Sequence, residues 1–194
     1  AQNSLFNQVE ANNIGPTITS GRVVDLAVNP KNPTEFYVAY ATGGLWYTNN
    51  NGTSFTPVMD SAETVNCGSV TVDWNSGTIW VGTGEVNASR SSYAGVGVLK
   101  SSDKGKTWEN LGLKDSHHIS RIWVNPSNLN EIVVAAVGHL YTTNKERGIY
   151  KSNDGGKSWK QTLFVAEDAG IIDLAVSKNN PQIMFAASWQ KDRK

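Results

Sequence analysis

The sequence predicts an all-β chain built as a β-propeller of four-stranded antiparallel blades, three complete and half of a fourth. Three observations carry that expectation. First, an alternation of apolar and other residues recurs at Asp25-Leu26-Ala27-Val28-Asn29-Pro30, Ser69-Val70-Thr71-Val72-Asp73-Trp74, Arg121-Ile122-Trp123-Val124-Asn125-Pro126 and Asp173-Leu174-Ala175-Val176-Ser177-Lys178. The starts at 25, 69, 121 and 173 leave steps of 44, 52 and 52, and a period of two is the mark of a half-buried strand. Second, each of the first three runs is followed by three more short β-type runs divided by turn residues. Third, no helical period is sustained. Units of about 45–50 residues with four short strands are the pattern of a propeller blade.

In chain order, residues 1–20 precede the first blade and contain Asn13-Ile14-Gly15-Pro16. They are expected to supply a ring-closing outer strand. Blade 1 spans 21–66, with later strands at 35–40, 44–48 and 54–58. Blade 2 spans 67–116, with strands at 78–82, 97–101 and 107–111. Blade 3 spans 117–168, with strands at 131–136, 148–152 and 158–164. Residues 169–194 form the first half of blade 4, with a second strand at 182–187. Asn-Pro, Lys-Asn and Ser-Gly pairs supply the turns. Three and a half blades do not close a ring of the usual about four to eight, and open sheet edges invite pairing. The expected partners therefore include the remaining blades, from the same chain or another.

Composition narrows the function. The 17 basic and 17 acidic residues cancel, which argues against nucleic acid or a polybasic membrane surface as partner. No apolar run reaches the roughly 18 residues of a membrane span. One cysteine, Cys67, rules out an internal disulfide or a multi-cysteine zinc site, and it reads as a small buried residue. No cofactor motif is present, and neither a cofactor nor a metal is expected. The chain starts Ala1-Gln2-Asn3 without Met, as signal-peptide removal or an engineered start would leave it. The expectation is a secreted, periplasmic or cell-surface protein.

A sharper repeat sits in the third-to-fourth strand turns. Ser101-Ser102-Asp103-Lys104-Gly105-Lys106-Thr107-Trp108 fits S-x-D-x-G-x-T-W, and Ser152-Asn153-Asp154-Gly155-Gly156-Lys157-Ser158-Trp159 fits it with Ser for Thr. Thr48-Asn49-Asn50-Asn51-Gly52-Thr53-Ser54-Phe55 is a degenerate copy. The Asp carboxylate can accept backbone N–H bonds within its own turn. Gly allows the positive φ of the turn, and the aromatic residue is expected to fold into the core between blades. This is the Asp-box, and its aspartates read as structural rather than catalytic.

With these residues in place, the chain resembles the secreted sortilin-like bacterial propellers, often labelled glycosyl hydrolases. Gly21-Arg22-Val23-Val24-Asp25 and Ala41-Thr42-Gly43-Gly44-Leu45-Trp46 look like their first blade, and Gly82-Thr83-Gly84-Glu85 with Asn87 and Arg90 like their second. Asp115-Ser116-His117-His118-Ile119, Gly138-His139-Leu140 and Glu146-Arg147-Gly148 look like their third. In that family the region opens a longer chain. The Asp-box is shared with sialidases, xyloglucanases, sortilin receptors and a photosystem II assembly factor, so the resemblance implies a fold more than an activity. The catalytic Asp of the similar xyloglucanase blade falls on Ala41, which cannot transfer a proton. The arginine triad a sialidase needs is not apparent either.

Propeller topology puts the fourth-to-first and second-to-third connections on one face and the Asp-boxes on the other. The ligand-binding residues expected on the loop face are Glu85, Asn87, Arg90, His117, His118, His139, Glu146, Arg147 and Trp189, with Tyr93, Asp115 and Gln190 nearby. Plainer readings stand beside these: Glu146 and Arg147 would pair at the surface, Glu85 and Arg90 would order their own loop, and adjacent His117 and His118 on a strand would point to opposite faces. The leading functional expectation is a secreted interaction module or scaffold that binds a protein or glycan. A glycoside hydrolase or lyase with Glu85, Asp115 or Glu146 as acid–base candidates is the second. A structural subunit of an extracellular or cell-envelope assembly is the third.

Overall fold

The computed structural model of the chain describes residues 21–87 and 92–190. The expected ring-closing segment 1–20, and Arg90, lie outside them. Sheet 1 runs β1 (Val23–Val28), β2 (Phe36–Tyr40), β3 (Gly44–Thr48), β4 (Thr56–Pro57), and sheet 2 runs β5 (Cys67–Asp73), β6 (Thr78–Thr83), β7 (Val98–Ser101), β8 (Glu109–Asn110). Sheet 3 runs β9 (Ile119–Asn125), β10 (Asn128–Ala136), β11 (Gly148–Ser152), β12 (Lys160–Leu163), and β13 (Ala169–Val176) pairs with β14 (Met184–Gln190) in a fourth. All pairs are antiparallel between chain neighbours. The all-β propeller expectation holds.

The first strands stand side by side, β1 against β5, β5 against β9, β9 against β13. Side chains stitch them to the neighbouring backbone. Val70 N donates to Asp25 Oδ2 at 2.9 Å, Thr71 Oγ1 to the Ile122 carbonyl at 2.6 Å and Ser120 Oγ to the Ile171 carbonyl at 2.7 Å. Arg121 pairs with Asp173 at 2.8 Å.

The core lies between sheets, not inside any one of them. Tyr37, Ala39, Leu45 and Met59 of blade 1 pack on Cys67, Val70, Ile79, Val81 and Leu99 of blade 2. Trp80, Val98 and Leu111 of blade 2 pack on Ile119, Ile122, Ile132 and Val134 of blade 3. Val133, Ala135 and Ile149 of blade 3 pack on Ile171, with Leu174 and Met184 at the margin. A second strand thus has a neighbour on each face, which is why Ile79-Trp80-Val81 is continuously apolar and β6 is buried throughout. Cys67 is buried as expected, its Sγ 3.6 Å from Met59 Sδ. Burial pushes its thiol up to about 12.

The Asp-box turns account for how closely the blades approach. In each full copy the serine hydroxyl takes the turn's N–H groups and the aspartate takes the residue before Trp. Thr107 N and Oγ1 donate to Asp103 at 2.9 and 2.6 Å, and Ser158 N and Oγ to Asp154 at 2.9 and 2.5 Å. The indole then crosses to the preceding blade: Trp108 Nε1 donates to the Val58 carbonyl at 3.0 Å, Trp159 Nε1 to the Leu111 carbonyl at 2.7 Å. A Cβ at Gly105 (φ 89°) would stand 2.5 Å from the Val58 oxygen, and one at Gly156 (φ 95°) 2.6 Å from Leu111 Cδ1. Glycine is required there for conformation and for clearance alike. In the degenerate copy Asn50 Oδ1 accepts from Ser54 N at 3.0 Å, and Phe55 lies edge-on to Phe36 at 6.2 Å. These bonds consume the residues expected to start the fourth strands, so β4, β8 and β12 are shorter than the sequence suggests. Pro57 also lacks a ladder donor.

Trp159→Phe keeps an aromatic ring and removes the inter-blade donor. It is expected to destabilise the chain by about 1 kcal/mol and lower Tm by about 2–4 °C, read by thermal and urea unfolding. An unchanged midpoint would show that the crossing bond adds nothing.

Candidate functional site

Three connections meet where blades 2 and 3 touch: 84–97 after β6, 111–118 before β9 and 137–147 after β10. Backbone contact draws them together. Gly95 N donates to the His117 carbonyl at 2.7 Å and Val137 N to the His118 carbonyl at 2.9 Å. At Gly84 (φ 84°) a Cβ would stand 2.0 Å from the His117 oxygen. Asp115 lies in a 3-10 turn, Lys114–Ser116, which ends at His117 with φ 56°.

That left-handed residue corrects one expectation. His117 is not on the strand, so the alternation rule does not separate it from His118; their rings meet edge-on at 6.3 Å. His139 stacks on His117, with centroids 3.7 Å apart and planes 20° apart. The tautomer of His139 follows from its partners. Its Nε2, 3.1 Å from the Asp115 carbonyl, must donate, and its Nδ1, 2.9 Å from Thr142 Oγ1, can accept. Beside the three rings lies a cavity of about 260 Å³ lined by Ser92, Ala94, Leu140, Tyr141 and Thr142 as well as the histidines. His118 is 2% exposed and its Nδ1 has no hydrogen-bond partner. Burial pulls the His118 ring down to about 4, against a ring hydrogen bond to the Glu85 backbone that favours the proton. His117 is also lowered, by burial first and then by His139. Both are neutral at pH 7. Among the described residues no three His, Cys, Asp or Glu side chains are grouped to hold a metal ion.

The other expected residues divide. Glu85 is fully buried and pairs with Arg22 of blade 1; Arg90, the partner expected from the sequence, lies outside the described residues. Arg22 Nε donates to Oε1 at 2.5 Å, Nη2 donates to Oε2, and Ser92 Oγ adds a bond at 3.2 Å. A two-point guanidinium–carboxylate pair is geometrically exacting, and here it ties blade 1 to blade 2. Arg147 does not pair with Glu146. It is 1% exposed and ties its own loop, donating to Asn144 Oδ1 at 2.7 Å and to the carbonyls of Val137, His139 and Thr142 at 3.1, 2.5 and 2.8 Å. Glu146 accepts from Asn144 Nδ2 at 3.2 Å and lies beside Asp115 through that amide, which also reaches the Asp115 carbonyl at 3.4 Å. Asn87 and Tyr93 are exposed at the loop face. Trp189 is on β14 of the fourth sheet, and Gln190 donates to Asp168 at 2.6 Å; neither lines the histidine cavity.

The Asp-box groups are at the opposite end of their strands: β7 leaves the loop face at Val98 and enters its box at Ser101. Thr107 bonds hold the Asp103 carboxyl down at about 2, and Ser158 holds Asp154 lower still. Ala41, at the xyloglucanase aspartate position, is buried with its N–H on the Arg22 carbonyl at 2.8 Å.

Sequence reasoning missed a second staple. Asn29 Nδ2 donates to Glu35 at 2.7 Å while Tyr47 donates to the same carboxylate at 2.6 Å, and Asn125 Nδ2 donates to Glu131 at 2.6 Å while Lys151 pairs with it at 2.5 Å. Its signal was visible: Asn-Pro with Glu six residues after the Asn, at the same phase of two blades. Asn144, which joins Arg147, Glu146 and His139, had no such signal.

Four-stranded blades in series, each packed on the last and bonded to it through an Asp-box tryptophan, define a β-propeller. Comparison with known proteins agrees with that fold. The chain is 36% identical over 86 residues to vacuolar protein sorting/targeting protein 10 of Kluyveromyces lactis, a match covering 44% of this chain and 5% of that protein. No protein-family model matches. Among solved structures, an ancestral GH74 enzyme superposes with TM-score 0.65 at 19% identity, covering 90% of this chain and 22% of that one. YCF48 bound to D1 peptide superposes with TM-score 0.54 at 14% identity, covering 91% and 50%. The chain spans half or less of the length of each. The fold is that of a β-propeller, and the sequence likeness to a sortilin-like protein covers 44% of the chain.

The buried histidine gives a signed pH dependence. A folded pKa near 4 against an ordinary 6.5 means that the unfolded chain binds the proton more tightly. The stability from neutral His118 is complete above the ordinary pKa and is lost as pH falls from there toward the folded value. Tm should therefore drop between about pH 6.5 and 4, and His118→Gln should flatten that drop in a pH series of thermal melts. An unaltered slope in His118→Gln would assign the acid sensitivity elsewhere.

Proposed function

We propose that the chain is a secreted or cell-surface interaction module whose loop face between blades 2 and 3 binds a protein or glycan ligand. The observation that carries this reading is the cavity beside His117, His118 and His139, with an unpartnered ring nitrogen at its wall and exposed Tyr141 at its rim. Concave, mostly apolar sites with a few directed polar groups suit small recognition elements. A tyrosine ring presents a large contact face at low entropic cost. Arg147 and its four acceptors hold the loop that presents these groups. YCF48, one of the structural neighbours, is solved with a bound peptide, which supports a protein ligand.

The hydrolase reading has less support. Retaining or inverting glycosidases place two carboxyl groups about 5–9.5 Å apart across a cleft. Glu85 is engaged by Arg22 out of solvent, and Ala41 supplies no acid. Asp115 and Glu146 remain exposed on the loop face beside the cavity and fit a recognition role there.

The test is selection of binders from a random peptide library and a glycan array on the purified chain. Tyr141→Ala and His117→Ala should each weaken the selected binder by about tenfold or more. Lys106→Ala in the Asp-box face should leave it unchanged. Binders that respond to Lys106→Ala and ignore the loop-face changes, or no binder from either source, would overturn the reading.

A further inference from the structure

The cavity beside the three histidines has one unmet requirement. Among the described residues that line it, His118 Nδ1 is the buried side-chain atom left without a hydrogen bond. The rest of the ring fixes its chemical character. The ring bond to the Glu85 backbone favours the protonated form, as a bond to a carbonyl does, so the neutral imidazole carries its proton at Nε2. Nδ1 is therefore a bare acceptor, and an occupant has to bring a donor.

The other buried or bonded polar groups of the wall are already engaged. His139 Nε2 donates to the Asp115 carbonyl and its Nδ1 faces Thr142 Oγ1. Ser92 Oγ donates to Glu85. Ala94, Leu140, the ring of Tyr141 and the stacked pair of His117 and His139 make up the remainder. A sugar, with a hydroxyl on most of its carbons, would bury polar groups there without partners. An anion finds no donor at Nδ1, and Asp115 and Glu146 are exposed on the same face. An ammonium group meets the Arg147 guanidinium, which is bonded to the carbonyls of two lining residues, His139 and Thr142. One neutral acceptor also does not offset the cost of desolvating a charge. The volume of about 260 Å³ equals roughly nine waters at about 30 Å³ each, room for one aromatic side chain.

Resting on the loop-face reading, we propose that this cavity receives one aromatic side chain of a protein ligand, a tyrosine or a tryptophan, whose O–H or N–H donates to His118 Nδ1 while its ring packs on Leu140, Tyr141 and the imidazoles. The chain uses the same chemistry internally: Trp108 and Trp159 each lay an indole against the neighbouring blade and place its one donor on a single acceptor. Phenylalanine is the excluded residue, because it fills the space and leaves Nδ1 unpaired.

Side-chain analogues test this. p-Cresol and skatole carry the donor; toluene and p-methylanisole do not. The imidazole nitrogens of the isotope-labelled chain are followed by NMR at neutral pH. p-Cresol should bind about tenfold or more tightly than either donor-free ring and should shift the His118 Nδ1 signal. Toluene is smaller than p-cresol and p-methylanisole larger, so size alone cannot produce a preference over both. The comparison of p-cresol with skatole tells tyrosine from tryptophan. In His118→Phe the preference should vanish. Equal binding of p-cresol and its donor-free analogues by the unaltered chain would overturn the inference, and so would a preference that survives His118→Phe or no response to either donor probe. Library binders weakened by Tyr141→Ala and His117→Ala that carry no tyrosine or tryptophan and ignore His118→Phe would keep the loop-face reading and sink this inference alone.

Discussion

Every sheet in this molecule depends on the sheet beside it. A two- to four-stranded sheet has two faces, and each face of β6 or β10 is covered only by a neighbouring blade. The controlling constraint is therefore how closely one blade can approach the next. The Asp-box answers it with three residues. Aspartate closes a turn that would otherwise leave donors unpaired, glycine removes the Cβ that would strike the preceding blade, and tryptophan carries an apolar ring with a single donor across the gap. A buried indole N–H without an acceptor is costly. The carbonyl it meets fixes the blades' relative position as well as adding contact area.

The other end of the strands is released from that duty. The boxes hold the blades at one face, so the connections at the opposite face can differ in length and composition. They do: 41–43 is a tight turn, while 84–97 and 137–147 are long. The long loops are held by polar knots, Glu85 to Arg22 of blade 1 and Arg147 to four acceptors of its own loop. Such knots specify loop shape while leaving His117, His139 and Tyr141 partly open to solvent. The same burial that makes His118 neutral leaves its Nδ1 unsatisfied, a cost that a functional surface can hold in reserve.

The parts legible in the sequence are those set by local chemistry. Strand alternation and the Asp-box are short-range patterns, so Asp103, Thr107, Asp154 and Ser158 could be assigned roles before any fold was known. The bonds that build the site join residues far apart or in irregular backbone. Arg22 and Glu85 are 63 positions apart. His117 could not be placed because its left-handed backbone has no composition signal. Arg147 beside Glu146 suggested a surface ion pair, since adjacency is visible in a sequence and four converging carbonyls are not. The Asn29–Glu35 and Asn125–Glu131 staples were readable in principle, as a local pattern repeated in phase.

The central claim is that the inter-blade contacts make the sheets one cooperative unit. Native-state hydrogen exchange of the unaltered chain across a low-denaturant series tests it most directly. The account predicts that the protected amides of β6 and β10 merge into a single opening with one free energy and one denaturant slope. Separate openings for the two strands, each with a slope sized to its own sheet, would mean that the blades are stable individually and that the tryptophan crossings do not hold them together.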